Sequence, residues 1–374
     1  MSVLFEPVKI GNFETRNRFV RSATYFALAD DKGFIGEPSV TLMKNLAEGG
    51  VGLIITGYAY ISKSGQSFVD MNGIQTDDHV AGYKKMTRAV HDAEGRIVMQ
   101  IAHCGTGSET TARTGGDYMA VSLTDKMPNY GNPAREMTEE DIQGIIESFS
   151  RAAHRVEEAG FDGVQIHGAH GYLVSQFLTP RSNLRQDKWG GSLENRMRFV
   201  VEVVRSIRKT VGPDFPVMIK LGCRDYLDEG VGLTIEEGAE VAQALEKEGV
   251  SLIEISNGFQ DASYRKKRLG TTSPEKEAYY LDDARIVRKK TSGPLGLVGG
   301  MRSLPVLEDV INSGVADCIS ICRPLIREPG LIERWREGDT RAADCISCGG
   351  CFNVGEDGKM GIHCRQLLKK QARA

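Results

Sequence analysis

The chain has 374 residues, 47 basic and 50 acidic side chains and a formal net charge of -3, a near balance that gives no electrostatic reason to expect nucleic acid or an anionic membrane as partner. A hydrophobic fraction of 40% with 26% charge excludes a disordered chain. Glycine, at 43 of 374 residues, exceeds its usual share of roughly 7% and suits tight turns and close approach of backbone to a ligand. The opening MSVLFEPVKIGNFETRNRF lacks the basic-then-apolar pattern of a signal peptide, and the longest apolar run, Val51 to Ile61, falls short of the roughly 18 residues that span a bilayer. A cytoplasmic location is the expectation.

In chain order, apolar runs at Phe19–Ala23, Val51–Gly57, Ile97–Ala102, Gly163–His167, Val217–Leu221, Leu252–Ser256, Leu295–Val298 and Cys318–Ile321 read as strands buried on both faces. Helical patterns lie between them, at Glu139–Ala159, Leu193–Val211 and Thr234–Lys247 among others. In the first, Ile142, Ile145, Ile146, Phe149, Ala153 and Val156 make one apolar stripe, and Thr138 with Asp141 forms a capping signal. Eight strand–helix pairs in alternation predict a (β/α)8 TIM barrel. A doubly wound open sheet is the alternative, but no G-x-G-x-x-G follows the first strand. The polar, Gly/Thr/Pro-rich stretch Cys104–Arg135 is expected to form an excursion over the barrel mouth. Residues 1–338 form the barrel in this reading, and residues 339–374 a short cysteine-rich extension.

In a barrel the chemistry belongs where strands end. His167, His170 and Tyr172 fall just past the fourth strand, Gln100 and His103 at the end of the third, and Lys220 on the fifth. Gly299 and Gly300 follow the seventh and Arg323 the eighth, the place of the barrel phosphate site. The basic run Arg265-Lys266-Lys267-Arg268 reads as a solvated loop, with steering of an anionic cofactor or ester as the other reading. Of eight cysteines, Cys104, Cys223, Cys318 and Cys322 read as small buried thiols. Cys345-x2-Cys348-x2-Cys351-x12-Cys364 crowds three thiols into seven residues. That spacing favours an iron–sulfur cluster over the paired knuckles of structural zinc.

The segments LFEPVKIGNFETRNRFV, QIHGAHGYLVSQFLTPRSNLRQDKWGGSLENR and ADCISICRPLIREP closely resemble the old yellow enzyme family of FMN-dependent oxidoreductases, over about Leu4 to Arg336. The tail resembles the subgroup with dienoyl-CoA reductase and trimethylamine dehydrogenase, whose tail binds a 4Fe-4S cluster. Those relatives continue into a dinucleotide-binding region, whereas this sequence ends ten residues after Cys364, and that region is expected to be absent.

The resemblance implies FMN contacts from Ser22, Ala23, Thr24, Tyr25, Gly57 and Gln100. Lys220 would supply positive charge near the flavin pyrimidine, standing where most members have arginine. Gly299, Gly300, Cys322 and Arg323 would cradle the phosphate, with Cys322 in place of a usual glycine. His167 and His170 match the pair that holds a substrate oxygen, and Tyr172 the tyrosine that protonates the α-carbon. Tyr25 and His103 are further substrate candidates, and Tyr58 and Tyr60 either line the pocket or pack. The amine-oxidising branch has tyrosine where this chain has His167, which favours alkene reduction. The implied activity is NAD(P)H-dependent reduction of the C=C bond of an enone, with a small-molecule enone as partner. The rivals are an oxidative enzyme passing electrons through the cluster to a redox partner protein, a partner-binding redox subunit without a substrate, and a non-flavin barrel using Lys220 as a Schiff base. A homo-oligomer stays open.

Overall fold

The computed structural model describes residues 2–126, 128, 130–228, 231–270, 272–352 and 361–371. Eight parallel strands close on themselves: β1 (Phe19–Arg21), β2 (Leu53–Ile55), β3 (Arg96–Ala102), β4 (Gly163–Gly168), β5 (Val217–Gly222), β6 (Leu252–Ser256), β7 (Leu295–Leu297) and β8 (Cys318–Ile321). Pairing of β8 with β1 and of β2 with β3 completes the ring, which rules out the open doubly wound sheet. The principal helices are α1 (Glu37–Glu48), α2 (Val80–His91), α3 (Glu139–Glu158), α4 (Leu193–Val211), α5 (Ile235–Lys247), α6 (Leu281–Arg288), α7 (Leu304–Asn312) and α8 (Leu331–Arg336). The fold is a (β/α)8 TIM barrel.

Alternation along each strand explains both the barrel and the position of its chemistry. Residues such as Ile97, Met99, Ile219, Leu221, Ile253 and Ile255 belong to the large core shared with the helices. The alternate set faces inward and changes character along the strand. Val20, Leu53, Val98, Met218, Leu252 and Cys318 form a second apolar cluster together with Ile10 and Phe13 of an N-terminal hairpin (Val8–Ile10 paired with Phe13–Thr15). The hairpin therefore plugs the N-terminal end of the barrel, and burying Ile10 and Phe13 contributes roughly 1.5–3 kcal/mol each. Two residues further along the same strands the inward set turns polar: Ser22, Gln100, Lys220, Glu254 and Ser320, all buried. The chemistry is thereby confined to the C-terminal mouth.

The helices follow their local signals. Thr138 and Asp141 form a reciprocal capping box at α3, with backbone-to-side-chain bonds of 2.8 and 3.3 Å, and the predicted apolar stripe is buried. Thr234 and Glu237 do the same for α5. On α5 a Cβ at Gly238 would stand 1.8 Å from the Cys223 carbonyl oxygen, so only glycine lets the helix lie this close to the end of β5. The expected strands at Phe19–Ala23, Val51–Gly57 and Leu295–Val298 end sooner, because their last residues leave the ladder to line or back the mouth. The Cys104–Arg135 excursion is not featureless: it holds a helical turn at Glu109–Arg113, and Met119–Ala120 pairs with Arg135–Glu136.

After α8 the chain returns to the mouth. Ala343 N–H donates to Arg302 O at 2.8 Å, Gly270 N–H to Ser347 O at 3.1 Å and Ile362 N–H to Phe26 O at 3.1 Å. Among the described residues no helix is long and apolar enough to cross a membrane.

Candidate active site

A cavity of about 1610 Å³ opens at the C-terminal mouth, and a continuous line of polar contacts forms its floor. Gln100 Nε2 donates to Gln165 Oε1 at 2.6 Å, and Gln165 Nε2 to Glu254 Oε2 at 3.1 Å. The same Glu254 oxygen meets Lys220 Nζ at 2.9 Å, and Lys220 donates onward to Ser22 Oγ at 2.6 Å. Burial alone would lift the Glu254 carboxyl, yet the ammonium beside it and its hydrogen bonds hold it below the ordinary carboxylate range. A charged pair is thus buried within the barrel, where only mutual attraction and further hydrogen bonds offset lost hydration.

One wall comes from the end of β4 and the loop after it. The His167 and His170 ring centroids lie 5.2 Å apart, and those of His167 and Tyr172 4.9 Å apart. Ala169 N–H donates to His167 Nδ1 at 3.3 Å, which places the ring proton on Nε2. His170 Nε2 shares a 3.0 Å hydrogen bond with Ser256 Oγ and leaves Nδ1 for a ligand. To turn this ring into the cavity, His170 takes a left-handed backbone (φ 60°), a conformation uncommon for a residue with a Cβ. Burial and the Lys220 charge keep both rings neutral: His167 lies well below its ordinary value and His170 falls to about 3, with the charges of Arg265 and Arg268 adding to the shift. The Tyr172 hydroxyl lies 3.0 Å from that of Tyr58, and burial above all pushes both phenols up, so each keeps its proton.

Ser22-Ala23-Thr24-Tyr25 also line the cavity, with the Tyr25 hydroxyl bonded to Asp70 and its ring 6.0 Å from that of Tyr58. At the β7–β8 end lie Gly299 (φ 137°), Gly300 (φ 75°), Cys322 and Arg323. Positive φ at both glycines turns the backbone where a side chain would be strained. Cys322 is partly exposed and lies 2.6 Å from Thr24 Oγ1, so it lines the cavity rather than filling the core as a buried thiol.

Two expected contacts are displaced. Gly57 does not line the cavity: a Cβ there would stand 2.7 Å from the Phe26 ring and the Thr24 oxygen, so it lets the wall pack from behind. His103 is buried off the cavity, its Nδ1 accepting from Gly105 N–H at 3.1 Å and its Nε2 bonded to Ser64 Oγ at 3.1 Å. Burial lowers its pKa from 6.5 to about 4. The stability contributed by this neutral ring is complete above about pH 6.5 and drains away as pH falls toward 4. His103→Gln is therefore expected to flatten the acid limb of stability by up to about 3 kcal/mol, read by urea unfolding at pH 7 and pH 4. Superimposable pH profiles of the two proteins would assign the acid sensitivity elsewhere.

The sequence reading did not pick out Gln165, Glu254 or Ser256, although a lone carboxylate in the apolar run LIEIS was a signal for the second. It also misplaced Arg268, which is not in a solvated loop. The guanidinium carbon lies 3.8 to 4.8 Å from the ring centroids of Tyr226, Tyr264, Tyr279 and Tyr280, and the side chain lines the cavity. Tyr58 lines the pocket, whereas Tyr60 is packed in the interior.

A second cavity of about 240 Å³ is lined by all four tail cysteines, Cys345, Cys348, Cys351 and Cys364, and shares Arg323, Cys348 and Gly349 with the first. Ser347 N–H donates to Cys345 Sγ at 3.5 Å and Arg327 Nη1 to Cys364 Sγ at 3.4 Å. Among the described residues no three His, Cys, Asp or Glu side chains are gathered into the single shell that one metal ion requires. The four thiols border one void, each on its own part of the lining.

Residues 3–341 match the family described as NADH:flavin oxidoreductase / NADH oxidase. The chain is 34% identical over 352 residues to the NADH oxidase of Thermoanaerobacter brockii, covering 93% of this chain and 53% of that protein. Its fold is similar to that of 2-naphthoyl-CoA reductase in complex with 2-naphthoyl-CoA, with a TM-score of 0.84 and 29% identity over 93% of this chain and 54% of that one. It is also similar to the old yellow enzyme homologue from Zymomonas mobilis, with a TM-score of 0.76 and 26% identity over 92% and 95% of the two chains. The chain thus spans about half the length of the first two proteins and nearly all of the third.

Proposed function

The chain belongs to the NADH:flavin oxidoreductase / NADH oxidase family, and from that premise we propose that it is an FMN-dependent, NADH- or NADPH-fed reductase of the C=C bond in α,β-unsaturated carbonyl compounds. The observation that carries this reading is the convergence of His167, His170 and Tyr172 on one wall of a cavity whose remaining lining and floor suit a flavin. Ser22 to Tyr25 supply the face for the ring, Gln100 and Lys220 the polar groups for its pyrimidine edge, and Gly299, Gly300 and Arg323 the cradle for its phosphate. The cavity is large enough for FMN and a small substrate together.

FMN held there supplies a hydride to the β-carbon of the alkene. The remaining steps fall to the chain's own side chains. His167, through Nε2–H, and His170 hold the substrate's carbonyl oxygen and stabilise the negative charge that develops on it, as neutral donors preset in a desolvated wall. Tyr172 keeps its proton until the α-carbon becomes basic, and its O–H bond then breaks as the new C–H bond forms. The Tyr58 hydroxyl, 3.0 Å away, fixes the phenol.

Cys345, Cys348, Cys351 and Cys364 are proposed to hold a 4Fe-4S cluster, with residues 339–374 as an extension to a barrel of residues 1–338. The lining shared by the two cavities favours a second reading, an FMN dehydrogenase that passes single electrons through the cluster to a partner protein.

An anaerobic visible spectrum before and after NADH separates these readings. Flavin bands above a broad iron–sulfur background that bleach with NADH or NADPH, and recover on adding an enone, are expected. Bands that persist with both nucleotides would move the assignment to the partner-linked enzyme, and a colourless protein that takes up no FMN would end both readings.

A further inference from the structure

We propose that Glu254, set behind Lys220 in the floor of the cavity, is a positioning residue that holds the reduction potential of the bound flavin down by neutralising that lysine. The inference rests on the FMN-dependent reading and is independent of which substrate the flavin reduces.

The carboxylate stands apart from its partners. Ser22, Gln100 and Lys220 line the cavity, whereas Gln165 and Glu254 do not. Glu254 therefore acts on a ligand through others. On one side Lys220 Nζ lies 2.9 Å from Glu254 Oε2 and donates to Ser22 Oγ at 2.6 Å. On the other, a carboxylate only accepts, so Gln165 turns its amide nitrogen toward Glu254 and its oxygen toward Gln100. Both charged side chains are 3% exposed or less, so water screens the pair weakly.

The opposition of the two charges reaches the cavity itself. At the His170 ring burial acts first, and then the lysine charge presses the pKa down while the Glu254 charge lifts it. A further cation, Arg21, feels the same carboxylate, but it does not line the cavity and donates to the Ser22 and Ile55 carbonyls at 2.7 and 3.4 Å. Two electrons and one proton add one negative charge to a flavin ring. A bare cation at the pyrimidine edge would favour that reduced form, and a balanced pair favours it less. The lysine thus keeps its hydrogen bond to the ring and gives up much of its pull, which leaves the reduced flavin a stronger hydride donor.

The test is the midpoint potential of the FMN-loaded protein, read anaerobically from flavin absorbance against reference dyes, with neither nucleotide nor alkene present. Glu254→Gln keeps the shape and an acceptor for Lys220 and Gln165 while removing the charge. It should favour the reduced flavin by about tenfold or more, a rise of about 30 mV for a two-electron couple. Lys220→Met/Glu254→Gln removes both charges together and should lie within about threefold of wild type, because the flavin then loses a nearly balanced pair. If Glu254→Gln does not fold, the double variant decides alone. Were the lysine not neutralised, its loss would disfavour the reduced flavin by about tenfold or more, and that result overturns the proposal. An unmoved or lowered potential in Glu254→Gln overturns it too, since a residue that only packs would change FMN retention or stability and leave the potential in place. Protein that takes up no FMN brings down the flavin reading and this inference with it, whereas an unmoved potential in loaded protein brings down the inference alone.

Discussion

Tyr172→Phe should slow the reduction of an enone by roughly 10²- to 10³-fold while changing the bleaching of the flavin by NADH or NADPH by less than about twofold, as measured separately by anaerobic stopped flow. The substitution removes one hydroxyl and leaves the ring that packs against His167 and Tyr58, so the wall keeps its shape. It removes the proton that the α-carbon must receive, and the phenol is otherwise well suited to deliver one, since burial and the nearby Cys104 keep it protonated across the neutral range. Tyr58, whose hydroxyl lies 3.0 Å from that of Tyr172, does not replace it, because burial makes its phenol hold its own proton firmly. Equal slowing of both half-reactions would mean that Tyr172 shapes the site and donates nothing, and the proton would have to come from water.

Lys220→Met should have the largest effect on stability. Lys220 and Glu254 form a buried pair, both side chains being 3% exposed or less, and the methionine would leave a carboxylate in the barrel without its cation. An uncompensated buried charge costs about 3–5 kcal/mol. Gln165 and the Ser22 region supply hydrogen bonds but no charge, and the carboxyl would answer partly by taking up a proton. Lys220→Met/Glu254→Gln removes both charges and keeps an acceptor for Gln165, so most of the loss should return, to within about 1–2 kcal/mol of wild type. Urea unfolding at a fixed FMN concentration reads both values, since unequal cofactor occupancy would shift apparent stability on its own. A double variant as unstable as the single one would show that the lysine acts by packing rather than by charge. FMN affinity should stay weakened in both variants, because in each the floor has lost the cation proposed to face the flavin pyrimidine.

Much of this architecture was legible in the sequence because each element announces itself locally. The eight apolar runs were found, and Leu193–Val211 fell on the residues predicted, with Ser192 as its cap. His167, His170 and Tyr172 were legible because they stand at or just past the end of a buried strand, where polar side chains have a reason to be only if the strand end faces a site. Gln165 and Glu254 were harder to read. They lie on different strands, 89 residues apart, and neither is explained until the ring closes and brings their inward faces together. His103 misled in the opposite sense: it follows β3 as His167 ends β4, but Ser64 and the Gly105 amide occupy its ring. The basic run at Arg265 looked solvated because charge in a loop usually is, and the four tyrosines around Arg268 come from three separate stretches of chain.

The sequence by itself determined the number, order and polarity of the strand–helix units, and hence at which end of the barrel any chemistry must lie. Hydrophobic periodicity and capping are local and act through neighbours a few residues apart. Tertiary structure alone decided which inward-facing residues share a layer and which cations face the cavity. It also decided that the tail cysteines surround a void beside the barrel mouth, since each of these depends on contacts between segments remote in the chain.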